Sequence, residues 1–221
     1  MTDAGELIAE TRAQLKAVED QLFAHPYLSA VEEGRIAKEK LRLFAGEQYY
    51  IINSDLRSVA MLVSRQDDGP NREFFFGALQ GEAAARDALF AFARELEMSE
   101  SDLQSYEPMP GCQAYPAYVA WLAAYGSAAD FAAAFLVNLP AWGGSCTRMS
   151  EALKGRYGLS PQAVSFFDLF ATPAPEFEAD SLRVIQRGID RGVDLGGVAR
   201  AARLIQAYEL MYWDTLYGSS I

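Results

Sequence analysis

Apolar residues recur along this chain at spacings of three and four, the repeat of a helix buried on one side, and no stretch alternates as a half-buried strand does. From about Ala4 to Ala24 the positions Leu7, Ile8, Thr11, Leu15, Val18 and Leu22 share one face, which His25-Pro26 brings to a stop. Glu39 to Arg65 reads as a second helix, ended by the turn-rich Gln66-Asp67-Asp68-Gly69-Pro70. Between Leu41 and Val63 it is apolar on most sides, as a helix in the middle of a bundle is. A third helix is expected from about Asn71 to Met98, followed by Ser99-Glu100-Ser101-Asp102 as the cap of a short turn. Gln113–Tyr125, Ser127–Tyr157, Pro161–Leu169, Pro175–Arg191 and Leu195–Tyr217 complete the set, the second of these disturbed at Pro140 and Gly143-Gly144. The pattern predicts a single all-α domain over residues 1–221, with more helices than a four-helix bundle.

Composition narrows the functional classes. The 221 residues hold 30 Asp and Glu against 19 Lys and Arg, a net charge of -11. Such a surface repels phosphate backbones and anionic lipid, so neither nucleic acid nor a membrane is an expected partner. The longest apolar run, Phe131 to Trp142, is interrupted by Asn138 and Pro140 and is too short to span a bilayer. The start MTDAGELIAETRAQLK lacks the basic-then-apolar order of a signal peptide, which makes a cytoplasmic location the expectation. One histidine and two cysteines cannot supply a histidine-rich metal site, a zinc cluster or a disulfide framework, and no metal or other cofactor is expected.

Few residues are left to carry chemistry. Cys146 sits beside Arg148, which would favour its thiolate, but no histidine lies nearby in sequence to act as base; Cys112 reads as core. His25, at a helix end before proline, is expected to hydrogen-bond a backbone carbonyl. On the last helix Leu204, Ile205, Tyr208, Met211, Tyr212 and Leu216 form an apolar arc, with Glu209 at its edge and Arg203 and Asp214 opposite. A carboxyl group flanked by apolar and phenolic side chains has a raised pKa and can transfer protons near neutrality; at a groove margin it would be an ordinary half-exposed glutamate. Glu47, Ser54 and Ser58 form a polar strip on the apolar second helix, facing either solvent or an internal cavity. Glu176, Asp180 and Arg183 share a helical face, where an ion-pair ladder competes with a divalent-metal site.

The order of segments resembles a known family. His25-Pro26-Tyr27-Leu28, the Glu33-Gly34-Arg35 turn, then Leu41-x-x-Phe44-x-x-x-Gln48-Tyr49-Tyr50, and the ending Tyr208-Glu209-Leu210-Met211-Tyr212-Trp213-Asp214, resemble the haem-oxygenase-like superfamily of thiaminase II (TenA), pyrroloquinoline-quinone synthase (PqqC) and the CADD-like proteins. That resemblance implies a haem-oxygenase-like multi-helix bundle and, as in most relatives, a homodimer or homotetramer. In thiaminase II a glutamate of the terminal motif works with a cysteine, an aspartate and tyrosines to break a C–N bond in aminopyrimidine compounds. Glu209 matches that glutamate, Tyr212 its aromatic neighbour, and Tyr115 a substrate-stacking tyrosine. The family's Pro-Cys appears here as Pro140-Ala141, with Cys146 five residues further on, and its Gln-Asp appears as Gln48-Tyr49. The iron ligands of the CADD-like branch find only Glu82, Glu176 and Asp180, with Arg183 where a histidine would stand and no carboxylate between Asp130 and Glu151.

The leading expectation is therefore a metal-independent TenA-like protein with an inter-helical pocket that binds, and hydrolyses or rearranges, a small nitrogen-containing metabolite. Glu209 would be its acid/base group with Tyr212 beside it, and Tyr115, Tyr49, Tyr50, Glu47 and Cys146 would shape the ligand site. The alternatives are a non-catalytic ligand-binding or regulatory member of the superfamily, and a divergent CADD-like metal oxidase using Glu82, Glu176 and Asp180.

Overall fold

A computed structural model describes residues 3–172 and 174–219, and these residues form helices without strands. In order they are α1 (Ala4–Phe23), α2 (Pro26–Glu32), α3 (Lys38–Arg65), α4 (Gly69–Glu95), α5 (Glu100–Gln104), α6 (Pro110–Tyr125), α7 (Ala128–Tyr157), α8 (Ser165–Ala171), α9 (Pro175–Asp190) and α10 (Leu195–Gly218). None is long and apolar enough to cross a membrane.

The boundaries follow local chemistry. Asp3, Ser99 and Ser127 open α1, α5 and α7 through reciprocal capping boxes with Glu6, Asp102 and Asp130, each pair satisfying two orphan N–H groups. Gly158 closes α7 in the left-handed conformation, at φ 68°, where a Cβ would be strained. Helix α2 is an addition to the expected set: Pro26, which ends the α1 pattern, occupies the first turn of a new helix, where its lost N–H costs nothing.

His25 is the N-cap of α2. Its Nδ1 accepts the Tyr27 N–H at 3.2 Å, so Nε2 carries the proton and faces Asp214 Oδ1 at 3.1 Å. This corrects the expected backbone-carbonyl role. Burial lowers the pKa of His25, with Asp214 partly offsetting it, in keeping with a neutral capping ring.

Helix α3 packs along α4 and α6, α10 lies against α6 and α7, and α7 meets α8 and α9. Behind the α3–α7–α10 junction the Phe44 ring collects Phe92, Trp142, Phe166, Phe167, Tyr212 and Trp213 at centroid separations of 5.4–6.5 Å. These stacked, tilted and edge contacts lock the side chains of α10 that border the site.

Contrary to the sequence expectation, α7 runs unbroken through Pro140, Gly143 and Gly144. Pro140 cannot donate to the Leu136 carbonyl one turn earlier, and the Arg12 guanidinium donates to that carbonyl instead at 3.0 Å. Gly143 is required for contact: a Cβ there would stand 2.8 Å from the Phe170 carbonyl oxygen of α8. Gly155, near the end of the same helix, meets nothing within 4 Å. The same substitution should therefore act with opposite sign at the two positions. In thermal melts Gly155→Ala should raise stability by roughly 0.5–1 kcal/mol, the helix-propensity gain. Gly143→Ala should lower it by about 1–3 kcal/mol through overpacking.

Candidate functional site

Helices α3, α4, α6, α7 and α10, with side chains from α1, α8 and α9 and with Thr172 and Ala174, line a cavity of about 700 Å³. That volume suits a small organic molecule. Its walls are mainly apolar and aromatic, including Phe74, Phe131, Tyr115, Trp142, Phe170 and Tyr212. Gln48, Asp55, Glu82, Asn138 and Glu209 also line it.

Glu209 is 2% exposed. On α10 the buried positions are Val198, Ala201, Ala202, Ile205, Gln206, Glu209, Tyr212, Trp213 and Leu216, so Glu209 stands in the middle of the buried face. The expected arc was rotated by one position: Met211 points outward, and Gln206 and Trp213 turn inward, because α6 and α7 both cover this helix. Trp213 Nε1–H donates to Glu209 Oε1 at 3.2 Å, and Asn138 Nδ2 donates to Oε2. Asn138 Oδ1 accepts the Tyr115 hydroxyl proton at 3.1 Å, which fixes the orientation of the amide. Gln206 Nε2 holds the neighbouring backbone by donating to the Val137 carbonyl at 3.1 Å.

Burial pushes the Glu209 carboxyl up to about 7, and the Trp213 and Asn138 hydrogen bonds only moderate the rise. The group is thus poised between its acid and its base at neutral pH. Tyr212, 2% exposed, accepts from Gln48 Nε2 at 2.9 Å and stays a neutral phenol because burial raises its pKa.

The cavity brings together Glu209, Tyr212 and Tyr115 from among the sequence-predicted site residues, and leaves the rest outside its lining. Glu47 is buried but faces α5 and α6, accepting from the Tyr106 hydroxyl at 2.7 Å and the Met109 N–H at 2.8 Å; it clamps the loop between them. Tyr49 packs on Phe90, 5.9 Å between centroids, and Tyr50 is on the outer surface. A helix shows only one face to a cavity, and on α3 that face is Gln48, Ile51, Ile52, Asp55 and Val59. Ser54 and Ser58 lie off it, joined by the Ser58 hydroxyl to the Ser54 carbonyl at 3.0 Å.

Cys146 is buried within α7 and does not line the cavity. Burial, then the nearby Glu209 charge, raises its thiol pKa well above the ordinary value, so it is no ready thiolate.

Of the possible metal ligands, Glu82 lines the cavity, whereas Glu176 is exposed and Asp180 pairs with Arg183, both outside the lining. Among the described residues no three His, Cys, Asp or Glu side chains are grouped as metal ligands.

Sequence reasoning missed Asp55 and Asn138. Asp55 stands two turns beyond Gln48 on the same face of an apolar helix, and Asn138 is the one polar residue of the Phe131–Pro140 run. In each case an isolated polar residue among apolar ones was the available signal.

The comparisons agree with this architecture. The TENA/THI-4/PQQC family model matches residues 12–218. The chain belongs to the TENA/THI-4/PQQC family. Solved structures share its fold: a TenA homologue from Pyrococcus horikoshii OT3 (TM-score 0.77, 15% identity, covering 96% of this chain and 98% of that one); a TenA homologue from Pyrococcus furiosus (0.76, 20%, 96% and 100%); and a haem-oxygenase-like domain from Shewanella denitrificans OS217 (0.76, 15%, 95% and 91%). No curated protein matches the sequence. As expected, this TENA/THI-4/PQQC family member is an all-α protein with the haem-oxygenase-like fold.

The raised carboxyl of Glu209 makes a signed prediction. Between its unfolded pKa near 4.5 and its folded value of about 7, the folded state holds the extra proton, so this group's contribution to stability falls as pH rises through that window. Glu209→Gln abolishes that loss. Relative to wild type, its unfolding free energy should improve by about 3 kcal/mol between pH 4.5 and pH 8. Denaturant titrations across that range check this, and parallel wild-type and variant curves would contradict it.

Proposed function

We propose that this TenA-like protein binds a small nitrogen-containing metabolite in the cavity between its helices and breaks a C–N bond in it, with Glu209 as the acid/base group. The observation that carries the reading is the placement of one nearly inaccessible glutamate on a cavity wall, held by Asn138 and Trp213 and faced by aromatic rings that suit a flat ligand. Protonated Glu209 gives its proton to the departing nitrogen as the C–N bond breaks. Water forms the new C–O bond and its proton returns to the carboxylate, so the glutamate ends as it began. Tyr212 and Tyr115 border the ligand as neutral phenols. Cys146, off the cavity wall and held as a thiol, takes no part.

A Sulfolobus solfataricus relative of similar fold is described as a putative TenA-like thiaminase (TM-score 0.69, 10% identity, covering 98% of this chain and 97% of that one), which makes aminopyrimidines the first compounds to try. Aminomethyl-substituted aminopyrimidines, whose leaving nitrogen is an amine that takes up a proton, are incubated with wild type, Glu209→Gln and Cys146→Ser, and the released fragments are followed by liquid chromatography. Wild type and Cys146→Ser should release product at rates within about threefold of each other, and Glu209→Gln should be slower by about 10²–10⁴-fold. A Glu209→Gln protein that kept both binding and full turnover would sink the assignment.

The lack of a cysteine on the cavity wall favours a second reading, a binding or regulatory protein that keeps the cavity without the reaction. Native mass spectrometry of freshly purified protein separates the two. A retained metabolite that disappears on incubation is a substrate, and one that persists is a ligand.

A further inference from the structure

Glu209 is one of several acidic groups on the cavity wall. The charged side chains of the lining are Asp55, Glu82, Glu178 and Glu209 against the single cation Arg12. That cation is already engaged, its guanidinium donating to the Leu136 carbonyl at 3.0 Å and approaching Glu178 Oε1 at 3.4 Å. Nothing of the kind serves Asp55. It is 3% exposed, it lines the cavity, and its Oδ1 is buried with no hydrogen-bond partner among the described residues. An unmatched carboxyl oxygen in such a place is costly, and a bound donor would offset that cost. Glu82, on the neighbouring helix α4 and near enough for its charge to act on Asp55, is the second acid of this group. Gly77 and Gly81 precede it on the same wall, and a Cβ at either would meet nothing within 4 Å, so the approach to the two carboxyl groups is open.

We propose that Asp55 and Glu82 form a second subsite, one that receives a protonated amine of the ligand while another nitrogen of the same molecule lies at Glu209. The inference rests on the ligand-binding reading of the preceding subsection and adds a chemical class to it: an aromatic or short aliphatic molecule with two basic nitrogens. The aromatic rings of the cavity wall, Tyr115 and Trp142 among them, suit a flat or alkyl spacer and add cation–π attraction to its charged ends. Burial raises the pKa of both acids, and the Glu82 charge raises Asp55 further; a cation bound beside the pair would favour their charged forms.

The three xylylenediamine isomers and the corresponding methylbenzylamines provide a matched test. Each pair has the same aromatic body and differs by one ammonium group. Isothermal titration at fixed pH and ionic strength should show at least one diamine binding wild type about tenfold or more tighter than its monoamine. In Asp55→Asn with Glu82→Gln that preference should fall to less than about twofold, with monoamine binding retained. The wild-type comparison needs no variant to fold.

Equal affinity for diamine and monoamine in wild type would overturn the second subsite and leave the ligand reading at Glu209 standing. A diamine preference that survives in the double variant would also overturn it, assigning the preference to the protein's net charge. Binding of neither class would overturn the second subsite, while the reading at Glu209 is decided separately by the aminopyrimidine assay. Stoichiometric Mn²⁺ binding that displaces the diamine and is lost in the double variant would reassign the two carboxyl groups to a metal.

Discussion

Glu209 is held between the Asn138 amide and the Trp213 indole in a wall that is otherwise mostly hydrocarbon and aromatic ring, and the cost of ionising a carboxyl group there shapes the site. Three hydrogen-bonding side chains on three helices converge to make the position tolerable: Tyr115 of α6 orients Asn138 of α7, which with Trp213 of α10 meets the two carboxyl oxygens. Buried polar groups need such partners, and a network that supplies some but not all of the favourable charge leaves the group titrating near neutrality. The carboxyl group is positioned as firmly as the core that surrounds it, because Tyr212 and Trp213 are packed by the Phe44 cluster on their far side.

The backbone makes room for that arrangement at some expense to helical regularity. Pro140 sits inside α7 on the cavity wall, and the guanidinium of Arg12, from the other end of the sequence, satisfies the carbonyl that the proline leaves open. Gly143 lets the α8 backbone come close enough to bring Leu169 and Phe170 onto the wall. Residues that look like helix breakers in the sequence serve here as contact points between α7 and its neighbours. That is why the disturbance expected at Pro140 and Gly143-Gly144 does not appear as a break.

Much of the fold was legible because amphipathic repeats survive in the sequence. The main helices lie close to where the three-and-four spacing puts them, and the terminal Tyr208–Asp214 segment carries both the family resemblance and the glutamate that borders the cavity. What could not be read was azimuth. On a helix as apolar as α3, periodicity identifies no unique buried face, so Glu47, Tyr49 and Tyr50 looked as eligible as Gln48 and Asp55. Only the positions of α4 and α6 decide that residues 48, 51, 52, 55 and 59 turn inward. The same ambiguity put Glu209 at the edge of an arc when it stands in the middle. Asp55 and Glu82 are 27 positions apart on different helices, beyond the reach of any local pattern.

Burial lifts the Glu209 carboxyl group into the neutral range, and its titration can be watched directly. Carbon-13 NMR of glutamate-labelled protein, with the Glu209 signal assigned by its loss in Glu209→Gln, reads the carboxyl shift against pH. A midpoint near 7 is the predicted result, and a midpoint near the ordinary glutamate value of 4.5 would contradict the account.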